Sequence, residues 1–98
     1  MKIEYHPAIA GELEEIRDYY EGQSAGLGRD FVDQFEQHIL AISSMPTRWM
    51  IVRRDIRRTL MKRFPYVIHF RMIDDGAGIR VTVIKHERRH PAFGLSRS

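Results

Sequence analysis

Apolar residues recur along this chain with two different periods, and the change falls at Pro46. Ile9, Leu13, Ile16 and Tyr20 follow one another at spacings of four, three and four. That is the stripe of an amphipathic helix, and Glu12, Glu14, Glu15 and Asp18 load its other faces. Pro7 suits the first helical position, because its fixed φ is already helical and its missing N–H is one the first turn does not use. Lys2 to Tyr5, ahead of it, reads as a short strand. The stretch Gly22 to Gly28 breaks the helical pattern, and Phe31, Phe35, Ile39 and Ile42 restart it over about Leu27 to Ser44, with Met45-Pro46 as the stop. Two amphipathic helices joined by a short Gly-rich turn predict an antiparallel hairpin.

Beyond Pro46 the period shortens towards two. Strands are expected at about Arg57–Arg63, Tyr66–Ile73 and Ile79–Lys85, paired as an antiparallel meander. Asp74-Asp75-Gly76-Ala77-Gly78 is a polar, Gly-rich link between the last two. Alternation would turn Ile79, Val81 and Val83 to the helices and His69, Arg71, Arg80 and Thr82 to the opposite side, leaving that side polar and basic. The expected fold is therefore α+β in two layers: an N-terminal strand, a helical hairpin and a three-stranded antiparallel meander. Residues 1–98 are expected to form one domain, since a core divided in two would leave each part too small to offset chain entropy.

Charge sharpens this picture. Positions 1–46 carry three basic and nine acidic residues, a net −6, whereas positions 47–98 carry thirteen and four, a net +9. A basic half of this density suggests a polyanion or an acidic partner. There is no cysteine, which removes disulfide and thiolate chemistry. No apolar run approaches a signal sequence or a membrane span, so a cytoplasmic location without membrane association is expected.

His86-Glu87-Arg88-Arg89-His90 spells the H-E-x-x-H zinc string. That motif works on a helix, where both histidines share one face and the glutamate serves as base. Here the string follows a β-branched strand and Pro91 ends it at once, so no metal and no cofactor are expected. The same residues with Lys85 also form a cationic and imidazole cluster. Arginine offers paired donors to phosphate oxygens and histidine moves protons near neutral pH, as cleavage of RNA by its own 2′-OH requires. The alternative is a solvated strand end. Arg53, Arg54, Arg57, Arg58, Lys62 and Arg63 make a second basic stretch, which could equally be an edge strand kept soluble by charge. If period two holds there, Arg58, Leu60 and Lys62 share a face. Trp49 and Tyr66 could stack on bases or belong to the core.

The order of these landmarks resembles the RelE/ParE superfamily of bacterial toxins from type II toxin–antitoxin systems, closest to its ParE-like plasmid-stabilisation branch. The matching pieces are His6-Pro7-Ala8 with Leu13 and Ile16, Tyr19-Tyr20, Phe31, Pro46 and the basic stretch after it. Arg63-Phe64-Pro65-Tyr66, the run to Phe70, and Val83-Ile84-Lys85-His86 with Arg88, Arg89, Pro91 and Arg97 complete them. The resemblance implies a small toxin held inactive by a cognate antitoxin with an acidic, amphipathic tail. ParE-like members are associated with poisoning of DNA gyrase, and RelE-like members with cleavage of messenger RNA on the ribosome. RelE-like members tend to carry an arginine on the third strand and a tyrosine near the C-terminus; Tyr66 and Phe93 stand at or near those places here. The expectation is thus a gyrase-directed toxin, with Arg58, Lys62, Arg63, Tyr66, Lys85, Arg88, Arg89 and Arg97 binding target or phosphate. A ribosome-dependent endoribonuclease, with His86 and His90 as acid or base, is the first alternative. A non-toxic nucleic-acid-binding domain is the second.

Overall fold

Both helices form where the apolar stripes place them. In the computed structural model, which describes residues 1–98, a strand β1 (Lys2–Tyr5) leads into α1 (Ala8–Gln23) and α2 (Leu27–Ser44). Pro7 sits immediately before α1 in helical geometry, and Nδ1 of His6 accepts the Ala8 N–H at 3.0 Å, occupying an amide that the helix leaves free. The turn between the helices is tied by one carboxylate: Glu21 accepts the N–H groups of Gly26 at 2.9 Å and Gly28 at 3.0 Å. At Gly28 the helices approach so closely that a Cβ would lie 2.5 Å from the carbonyl oxygen of Arg17, so only glycine fits.

After a 3₁₀ turn at Pro46–Arg48 come β2 (Ile51–Arg53), β3 (Ile56–Leu60), β4 (Tyr66–Ile73) and, past a second 3₁₀ turn, β5 (Gly78–His86). The five strands form one mixed sheet in the order β1-β5-β4-β3-β2, with β1 parallel to β5 and the other pairs antiparallel. The α+β order of strand, helical hairpin and meander is as expected, but the meander has four strands rather than three. The extra strand, β2, has only three residues, too few to show a period. The strand expected over Arg57–Arg63 runs from Ile56 to Leu60, so Lys62 and Arg63 leave the sheet, and of Arg58, Leu60 and Lys62 the first two alone share its outer face.

The two layers meet over a core in which Ile9, Phe31, Phe35, Ile39 and Ile42 pack on Ile68, Phe70, Ile79, Val81 and Ile84. Burying a side chain of this size stabilises the fold by about 1.5–3 kcal/mol. At one end Tyr20, Phe31, Phe64 and Tyr66 form an aromatic group, with Tyr20–Phe64 at 4.9 Å and Phe31–Phe64 at 5.1 Å between ring centroids, both edge-to-face. No helix is long and apolar enough to cross a membrane.

One irregularity decides what lies on the other face. His69 pairs with Val83 but Phe70 pairs with Val81, so Thr82 is an extra residue in β5. Such a bulge reverses the alternation beyond it. Val81 and Ile84 therefore join the core, while Val83, expected to face the helices, turns to the outer face beside His69, and Lys85 follows it.

Candidate functional site

The outer face of the sheet is roofed by the segment after β5. Glu87 to Ser98 turns back so that Gly94 packs on Val83 with φ +78°, where a Cβ would collide with the valine Cγ2. Three cations hold this tail, Arg80 by donating to an oxygen of Ser98 at 2.7 Å and Lys85 and Arg97 through more extensive contacts. Lys85 is only 6 % exposed, and its ammonium donates to the carbonyls of His90 at 3.3 Å, Pro91 at 2.9 Å and Phe93 at 3.1 Å. Burial, then the charges of Arg58 and Arg89, lower its pKa. Arg97 grips Glu12 of α1 through two bonds of 2.9 and 2.8 Å and also donates to the Thr82 carbonyl at 3.1 Å. That carbonyl lies on β5 just past its pairing with β1, which stops at Val81. The hydrogen bond to Glu12 raises the pKa of Arg97. Lys85 and Arg97 thus have their donors engaged within the chain.

Between tail and sheet lies a cavity of about 400 Å³, lined among others by Val52, Arg58, His69, Lys85, Arg89 and Leu95. Arg58 and His69 are cross-strand neighbours. Around its mouth Arg53, Arg58 and Arg89 are exposed and belong to none of the chain's ion pairs. Other arginines are neutralised: Arg71 by Asp55, Arg80 by Glu4, Arg63 by Asp30 at 3.2 Å. His69 is 3 % exposed, and its Nδ1 has no hydrogen-bond partner in the chain. Burial first, and then Lys85 and Arg58, push its pKa down to about 4, so the ring is neutral at pH 7.

The remaining candidates are distributed more widely. Tyr66 belongs to the aromatic group under α1, and burial raises its pKa. It nevertheless borders a second hollow, of about 460 Å³, with Tyr19, His86, Arg89 and Phe93, so Arg89 stands between the two depressions. Lys62 lies beside the middle of α2, where its backbone N–H donates to Nε2 of His38 at 3.2 Å. Arg63 is held on Asp30, and Arg88 is exposed on the turn. Trp49 packs against the core. The Phe93 ring is covered by guanidinium groups, Arg89 at 3.9 Å and Arg97 at 5.0 Å from its centroid.

His86 ends β5 and His90 follows a turn, so the zinc-like string is not helical. Nδ1 of His86 accepts the Arg88 N–H at 3.1 Å, and Nδ1 of His90 accepts the Ala92 N–H at 3.0 Å. No group of three or more His, Asp or Glu side chains is placed to hold a metal ion.

Of the sequence candidates, the fold gathers Arg58, Lys85 and Arg89 at one cavity and leaves Lys62 and Arg63 outside it. His69 was missing from that set, and Arg53 was named in the basic stretch but not among the expected binding residues. The signal for His69 was a lone imidazole inside an otherwise apolar strand core, opposite a basic strand; it becomes informative only once the pairing is known.

Residues 3–91 match the family model described as the ParE toxin of the type II toxin–antitoxin system, parDE. The chain belongs to the ParE toxin family. No curated protein matches its sequence. The matched span contains both helices, β2 to β5, all of β1 but Lys2, and the His86–His90 turn, and it ends at Pro91; Phe93, Gly94 and Arg97 lie past it. Membership in the ParE family makes this chain a toxin of a type II toxin–antitoxin system and implies a cognate antitoxin as its partner.

Proposed function

We propose that this ParE-family toxin arrests growth in the cytoplasm by binding DNA gyrase, and that it does so without cutting RNA. The observation that carries this reading is the state of the two imidazoles at the end of β5 and in the turn after it, His86 and His90. A neutral imidazole that accepts a hydrogen bond at Nδ1 carries its own proton on Nε2. His86 and His90 both accept a backbone N–H at Nδ1. Each therefore presents a donor, not a base, to anything approaching its other nitrogen. Phe93 has no hydroxyl to move a proton, and the Lys85 ammonium is spent on three carbonyls. The cluster is suited to hold an anionic or acidic surface and poorly equipped to deprotonate a 2′-OH.

Induced expression in a bacterial host tests the proposal. The expected result is growth arrest with DNA breaks and intact transcripts, together with inhibited gyrase supercoiling in vitro. Arrest with cut transcripts and no DNA damage would establish the nuclease instead, with Arg58 and Arg89 on the phosphate and Glu87, on the same cavity rim, as the base to test. Charge reversal at the exposed Arg88 and Arg89 should abolish arrest while leaving the fold intact by circular dichroism.

A further inference from the structure

We propose that a separate hollow, between the middle of α2, the 3₁₀ turn and the loop after β3, is a nucleotide site in which Arg48 and Lys62 grip the phosphate and Gln34 and Gln37 meet the sugar or base beside Trp49. The hollow has a volume of about 380 Å³ and shares no residue with the cavity under the tail. This inference goes beyond the gyrase reading and holds whatever the toxin's target.

The lining is the first ground for it. Apart from Ala41, every residue around the hollow carries a hydrogen-bond donor: Gln34, Gln37 and His38 from α2, Arg48 and Trp49 from the turn, and Lys62 from the loop. No acid is among them, whereas Glu87 lines the cavity under the tail and Glu12 and Glu15 line the hollow beside Tyr66. Arg48 and Lys62 belong to none of the chain's ion pairs. Asp30, one turn before Gln34 on α2, is taken by Arg63. Two uncompensated cations at one concavity attract an anion.

Two further donors belong to the same wall. The Trp49 indole N–H is shielded from solvent and has no acceptor in the chain, a state that buried polar groups rarely keep. Nε2 of His38 accepts the Lys62 N–H at 3.2 Å, and burial, then the Lys62 charge, lower its pKa. The neutral ring therefore carries its proton on Nδ1 and donates there. The Arg48 guanidinium lies over the Trp49 ring, 5.3 Å from its centroid, which keeps the charge at the hollow instead of loose in solvent.

Donors arriving from three segments select the kind of anion. A carboxylate offers two oxygens in one plane, and a single arginine satisfies both. A phosphate spreads its oxygens over a tetrahedron and takes donors from several directions at once, arginine and lysine among them. Glutamine amides pair with base edges, and an indole beside them offers a surface for a base. This phosphate chemistry is the same in a free nucleotide and in a nucleic acid strand.

Trp49 is the only tryptophan, so its fluorescence reports on this hollow. The full chain is titrated with adenosine 5′-monophosphate, with adenosine, and with a ten-nucleotide oligodeoxythymidylate. The monophosphate should change the emission saturably and shift the indole N–H resonance, and adenosine should bind at least tenfold more weakly. Arg48→Gln and Lys62→Gln, both at exposed positions, should each weaken the monophosphate at least fivefold. Arg29→Gln, exposed on α2 outside the hollow, should change affinity less than twofold. Unaltered melting of each variant, read by circular dichroism, separates lost binding from lost folding. Oligonucleotide binding at least tenfold tighter than the monophosphate, and weakened by Arg48→Gln, would support the site and name a strand as the source of its phosphate. Weaker oligonucleotide binding would support it with the free nucleotide as the source. An equal response to adenosine, an unmoved indole resonance, or unchanged affinity in both cation variants would overturn the proposal. Displacement of the monophosphate by an equal concentration of hexaglutamate would make this a carboxylate site and overturn it too.

Discussion

The two faces of the sheet are closed by different kinds of interaction. On one face, helices of 16 and 18 residues lay continuous apolar stripes and an aromatic group onto Ile68, Phe70, Ile79, Val81 and Ile84. On the other, a short tail is held down by a lysine bound to three carbonyls, an arginine–glutamate pair and one glycine packed on a valine. Apolar burial is additive over area, does not titrate and is not screened by salt, whereas polar anchors are few, directional and sensitive to both pH and screening. The helix face therefore sets global stability. The tail face is the natural place for local opening and for a partner to gain access, because losing one anchor frees a segment without exposing the core.

The largest expected effect lies on the helix face. Phe31→Ala removes a ring that is fully buried among Tyr20, Phe64 and Tyr66 and should cost about 3–5 kcal/mol in chemical denaturation. If it costs no more than a tail substitution, the contrast between the faces fails.

Acid should strike the tail face next. The folded pKa of His69, about 4, lies below its ordinary value of 6.5, so the unfolded chain takes up the proton first as pH falls. Its contribution is complete above pH 6.5 and is lost as pH falls from there to about 4, up to roughly 3 kcal/mol in total. His38, also lowered by burial and then by Lys62, acts in the same sense. Denaturation measured across this window should show a shallower slope in His69→Leu; an unchanged slope would place the acid sensitivity elsewhere.

Arg97→Ala strips the partner from a mostly buried Glu12 and should cost roughly 1–3 kcal/mol, between the values for surface and buried pairs. Hydrogen exchange should quicken across residues 91–98 while the helices keep their protection. Uniform loss of protection would mean that the tail is part of the global unit. The smallest effect is expected at Arg63→Ala, whose half-exposed pair with Asp30 should contribute less than about 0.5 kcal/mol; a larger value by thermal melting would show that surface pairs anchor the helix layer as well.

Much of the architecture was legible before any coordinates. The spacing of Ile9, Leu13, Ile16 and Tyr20, and of Phe31, Phe35, Ile39 and Ile42, locates both helices because neighbours on a helix face are set by local geometry alone. The concentration of positive charge after Pro46 likewise announced a basic face, and the sequence of landmarks indicated the toxin family. What eluded pattern reading depended on partners distant in the chain. The place of β1 beside β5, the bulge at Thr82 and the resulting turn of Val83 and Lys85 to the outer face are set by register, which is a property of two strands and not of one. The same holds for function. Lys85 and Arg97 look like free cations until the tail carbonyls and Glu12 are brought to them, and His69 looks like a core residue until Arg58 is paired across from it. Local periodicity chose the elements, because it needs only near neighbours; long-range pairing chose which charges were consumed by the fold and which were left for a partner.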